Sequence, residues 1–88
     1  TIGLNNFAFS TLQNANFKNT DLKCARFYNA DLTNANLSGA DLSGAVLIDS
    51  TLTDTNFDGS ILNKTIFDET DISTDQVENS QYFLNCLN

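Results

Sequence analysis

From Ala30 to Leu47 the chain reads ADLTNANLSGADLSGAVL, which cuts cleanly into ADLTN, ANLSG, ADLSG and AVL. An apolar residue returns at every fifth place, and five fits neither a helix at 3.6 residues per turn nor a strand at 2.0. The period extends well beyond this stretch. Stepping by five from Ile2 through Phe7, Leu12, Phe17, Leu22 and Phe27, and on through Leu52, Phe57, Leu62, Phe67 and Ile72 to Val77, meets apolar residues alone. Two places before these centres the residues are nearly all small, among them Ala25, Ala30, Ala35, Ala40, Ala45, Ser50, Thr55 and Ser60. Two places after them stand Asn14, Asn19, Asn29, Asn34, Gly39, Gly44, Asp49, Asp54 and Gly59, the types that best tolerate turns and left-handed backbone. One large and one small inward side chain followed by a turn, repeated, winds a chain into an all-β solenoid whose coils stack through backbone hydrogen bonds about 4.8 Å apart.

The pentapeptides ANFKN, TDLKC, ARFYN, ADLTN, ANLSG and ADLSG, from Ala15 to Gly44, resemble the A(D/N)LXX repeats of the pentapeptide-repeat family, including its cyanobacterial members. Leu52 to Ile72 resembles them more loosely. The resemblance implies a right-handed quadrilateral β-helix with four pentapeptides per coil, hence about four coils here. Positions twenty apart would then stack. Phe27, Leu32, Leu37 and Leu42 would form one interior layer, and Leu47, Leu52, Phe57 and Leu62 the next.

The end of the chain departs from the repeat. Ser73 and Gln76 fit a capping box, and Val77, Phe83, Leu84 and Leu87 can gather on one side of a helix. This predicts a β-helix over residues 1–74 and a helical cap over 75–88. No cap is legible at the N terminus, and the chain is expected to be part of a larger protein. Cys24 and Cys86 would lie about three layers apart. A disulfide needs Cα atoms within about 7 Å, so both are expected as free thiols.

Chemistry is sparse. The chain has no His and two Cys, so no usual zinc ligand set, metal or cofactor is expected. No His supports a Ser or Thr nucleophile. Asp21, Asp31 and Asp41 share a repeat place with Asn16, Asn36 and Asn56, so this place serves turns and solvation rather than a carboxylate dyad. Lys18, Lys23, Arg26 and Lys64 are the only basic residues, too few for a broad phosphate footprint, so direct nucleic-acid binding is not expected. No apolar run is long enough to span a membrane.

Two surface features remain. The formal charge of −7 divides as +1 over residues 1–40 and −8 over residues 41–88. In addition, a twenty-residue coil would bring Arg26, Val46 and Ile66 into one outward column, with Tyr28 and Ile48 beside it and Ile61 one column round. The opposite face would carry Asn36, Ser38, Asn56 and Asp58. Arg26, Tyr28, Val46, Ile48, Ile61 and Ile66 are therefore the candidate face for a protein partner or for self-association.

The expected function is a non-enzymatic structural or protein–protein interaction module. The resemblance carries two alternatives. One is a DNA-mimicking, gyrase-binding protein, for which four coils would match only about six base pairs. The other is a membrane-linked scaffold involved in glycolipid localisation, with the linkage supplied by the parent protein. The compartment stays open among cytoplasm, periplasm, thylakoid lumen and a membrane-attached domain.

Overall fold

The computed structural model describes residues 5–67. The segment assigned from sequence to a helical cap, 75–88, lies outside these residues. Within 5–67 the backbone repeats one unit. The carbonyl of each apolar centre accepts from the N–H three residues on, as in Ala15 to Leu12 (3.1 Å), Ala30 to Phe27 (3.1 Å) and Ala45 to Leu42 (2.9 Å). The residue two places after the centre has φ near +60°, for example Asn14 (64°), Asn34 (61°), Gly39 (69°) and Asp54 (57°). An i to i+3 hydrogen bond with positive φ at the third residue is the pattern of a type II turn, which explains the Asn, Gly and Asp at that place.

The residue before the centre has a local task. The side-chain oxygens of Asn16, Asp31, Asn36 and Asp41 accept from the backbone N–H two residues on, at 3.0, 3.1, 2.9 and 3.0 Å. Asp and Asn both offer this oxygen, so they interchange there.

Each unit joins the unit twenty residues away. Parallel bridges link Asn6 to Arg26 and on to Val46 and Ile66, Thr11 to Asp31 and Thr51, Asn16 to Asn36 and Asn56, and Asp21 to Asp41 and Ile61. The bonds alternate: the Phe27 N–H donates to the Val46 carbonyl (2.8 Å), and the Val46 N–H donates to the Ala25 carbonyl (3.0 Å). The pairing consists of isolated bridges rather than extended strands, because a turn every five residues leaves one bridged residue per unit.

The shaft is apolar and closed. Leu22, Phe27, Leu32, Leu37, Leu42 and Leu47 are fully buried, together with Ala25, Ala30, Ala35, Ala40 and Ala45. Phe7 stacks on Phe27 at 5.1 Å, and Phe17 meets both rings edge-on, at 5.4 and 6.1 Å. Beyond residue 50 the small place becomes Ser or Thr, and each hydroxyl donates to a carbonyl. Ser50 bonds Leu47 (2.6 Å), Thr55 bonds Leu32 (2.9 Å), Ser60 bonds Phe57 (2.7 Å) and Thr65 bonds Leu42 (2.7 Å). No buried side-chain polar atom among the described residues lacks a partner.

The expectation of free thiols fails at Cys24, which is disulfide-bonded and nearly fully buried. Counting layers bounds distances only inside the repeat register. That register ends at Val77, and the one other cysteine in the sequence, Cys86, falls beyond it and outside the described residues.

Candidate protein-contact face

The bridge register places the candidate residues directly. Arg26, Val46 and Ile66 form one continuous bridged column, headed by Asn6. Tyr28 and Ile48 stand two residues along in the second and third rows, tied in by the Phe9 N–H on the Tyr28 carbonyl (2.8 Å) and the Asn29 N–H on the Ile48 carbonyl (3.1 Å). Between the columns the shaft residues Phe27 and Leu47 point inward and are fully buried. Arg26, Val46, Ile48 and Ile66 are half-buried, while Tyr28 is exposed. Ile61 belongs to the neighbouring column after Asp21 and Asp41 and is half exposed. Arg26, Val46 and Ile66 occupy the place that holds a turn-bonding Asp or Asn in seven other units, as do Thr11, Thr51 and Ile61 on the neighbouring columns.

Sequence reasoning missed Phe9. Its side chain is 76% exposed, the most exposed large apolar group among the described residues, and it stands at the end of the first row beside Tyr28. Its φ is +62°, in a region that bulky residues rarely adopt and that costs about 1–3 kcal/mol. The signal was legible: a Phe occupies the turn place that most other units give to Asn, Gly or Asp.

Apart from Ile61, the other columns carry polar residues. Asn16, Asn36 and Asn56 make up the one two units further on. In the adjoining column Lys23 pairs with Asp21 at 3.1 Å and Asp41 at 3.7 Å. The backbone N–H and the ammonium of Lys23 hold the Asp21 carboxyl below its usual range. The Thr33 hydroxyl, then its backbone N–H, does the same for Asp31. Groups with depressed folded pKa add stability above their unfolded pKa of about 3.8, and that contribution is lost as pH falls through the lower folded value. Thermal melts should therefore shift down on acidification below about pH 4. The Asp21→Asn/Asp31→Asn variant, which keeps the turn-bonding oxygens, should show a shallower pH dependence.

Among the described residues no cluster of His, Cys, Asp and Glu could hold a metal ion, and no helix is long and apolar enough to cross a membrane.

The comparisons agree with the repeat geometry. The pentapeptide-repeat family model matches residues 6–39 and 40–73. A pentapeptide repeat protein from the cyanobacterium Cyanothece 51142 is 36% identical with a TM-score of 0.69, over 72% of this chain and 44% of that one. This chain thus corresponds to less than half the length of that relative. A pentapeptide repeat protein from the thylakoid lumen of Arabidopsis thaliana is 28% identical with a TM-score of 0.31, over 82% of this chain and 68% of that one. No curated protein matches the chain. Such repeats have a structural, protein-interacting and non-catalytic role. With turns and shaft set by its five-residue period and its units bridged twenty residues apart, this chain belongs to the pentapeptide-repeat family.

Proposed function

We propose that the chain is a right-handed quadrilateral β-helix of about four coils that serves as a protein-contact module, binding through the face of Arg26, Tyr28, Val46, Ile48 and Ile66, with Phe9 and Ile61 at its margins. One observation carries the reading: residues far apart in sequence converge into one apolar stripe, while the column two units away is built of Asn16, Asn36 and Asn56. Single apolar side chains on a protein surface are ordinary, whereas a contiguous stripe marks an interaction site. The strained turn at Phe9 supports the same reading.

The test is charge substitution at the centre of the face. Val46→Asp/Ile48→Asp should leave the far-ultraviolet circular dichroism unchanged, because neither side chain enters the shaft. It should reduce capture of the natural partner, or self-association, by tenfold or more, on the order expected when a charge is buried unpaired. Unchanged partners together with an unchanged sedimenting mass would overturn the proposal.

A further inference from the structure

We infer that a disulfide between Cys24 and Cys86 straps the C-terminal segment of the chain over one column of turns, and that a dithiol reductant uncovers that column. The twenty-residue register sorts the turn places into four columns. Three are open: Asn14, Asn34 and Asp54 are exposed, as are Asn19, Gly39 and Gly59, and every described turn residue of the column headed by Phe9. The fourth column, Cys24, Gly44 and Lys64, is covered. Cys24 is 5% exposed, Gly44 is buried and Lys64 is half-buried.

The repeat supplies a matched control. Ser38-Gly39 and Ser43-Gly44 are the same two residues in successive units. Their backbones agree: φ is +69° at Gly39 and +71° at Gly44, and the two N–H groups donate to the carbonyls of Asp58 and Asn63 at 2.9 and 3.0 Å. Their hydroxyls agree too, donating to Asn36 and Asp41 at 2.6 and 2.7 Å. Yet Gly39 is exposed even with the Asn19 side chain against it, and Gly44 is buried. Ser38 is half-buried, while Ser43, at 7% exposure, is the one buried residue of its repeat place among the described residues. Lys64 is itself drawn partly under the cover, unlike the exposed Lys18 and Lys23. With the local structure alike in both units, the cover comes from another part of the chain.

Cysteine chemistry names that part. Cys24 is disulfide-bonded, and the chain has one other cysteine, Cys86. Cys86 lies nineteen residues beyond Phe67, an extended reach of about 60 Å, whereas the three turns of the column span only about 10 Å. A strap that leaves the coil after Phe67 and is tied at Cys24 passes Lys64 and Gly44 on the way, which accounts for the burial of all three. Opening it takes two electrons and two protons. A dithiol supplies them and leaves as its own disulfide, while the sulfurs of Cys24 and Cys86 become thiols. The covered turns lead onto Arg26 and Val46 two residues later, so the opened strap exposes surface continuous with the contact face.

The full 88-residue chain tests both the pairing and the strap. Glu69 and Glu78 are its only glutamates. Glu-specific cleavage in denaturant without reductant should leave residues 79–88 joined to residues 1–69, and a dithiol should release them. Release without reductant, or a linked product that holds two copies of the chain, would overturn the pairing. In Cys86→Ser, Cys24 reports on its own cover. Its thiol should be alkylated within about tenfold of the rate in the denatured chain, while circular dichroism keeps the β signature of the wild type. The reduced wild-type chain should behave as this variant does. Slower alkylation would show that the column is covered by something other than the strap. Loss of the β signature would show that the bond holds the coil itself. Either result overturns the inference.

Discussion

Replacing Leu37 with alanine is expected to destabilise the protein by about 2–5 kcal/mol, a large share of the 5–15 kcal/mol typical of a folded domain. Leu37 is fully buried. Its backbone is held on both sides: its N–H donates to the Asn56 carbonyl (2.7 Å), its carbonyl accepts from Ala40 (3.1 Å), and its neighbour Asn36 donates to Ala15 (2.8 Å). A shaft fixed by turns every five residues leaves a cavity rather than collapsing, which places the loss toward the upper end of the range. The same truncation at Phe57, only half-buried, should cost less per atom removed because water already reaches part of the ring. Denaturant melts of the two variants give the comparison. Equal per-atom losses would mean that the shaft is no better packed at Leu37 than at Phe57.

The second large effect separates the two periods of the structure. Deleting Ser38 alone should abolish the cooperative thermal transition. It moves Ser43, Thr53, Asp58 and Asn63 onto shaft places, where unpaired polar groups would be buried. The only escape is to open the turn at Gly39, whose N–H is bonded to the Asp58 carbonyl (2.9 Å). Deleting the five residues Ala40 to Gly44 should be far milder, since every later centre remains apolar and every turn remains a turn. That variant should still melt cooperatively, at a lower temperature. Its columns, however, are shifted by one unit: Arg26 would be followed by Thr51 instead of Val46, and the apolar stripe would be cut in two. It should fold and fail to bind. A five-residue deletion as damaging as the single deletion would show that the shaft depends on the twenty-residue register as well as on the five-residue one.

The five-residue period was legible in the sequence because everything that enforces it is local. The turn bond spans three residues, the Asp or Asn oxygen reaches two residues on, and the left-handed place selects its own residue types. Ala35, Leu37 and Gly39 could therefore be assigned to small place, shaft and turn without knowledge of their neighbours in space. The twenty-residue register is a different kind of fact. No pair of residues twenty apart in the sequence announces that its backbones will exchange hydrogen bonds, and a resemblance had to supply what the bridges from Asn6 through Ile66 later placed. The candidate face inherits that division. Val46 and Ile48 could be identified as outward-facing from the repeat alone, but their adjacency to Arg26, Tyr28 and Ile66 exists only once the coil closes. Phe9 escaped because a pattern classifies a residue by its place, and its place is a turn; its exposure and its strained φ belong to the folded chain. Cys24 escaped for the converse reason. Its repeat place was read correctly, but the period says nothing of which sulfur it meets, and that is decided by the three-dimensional path alone.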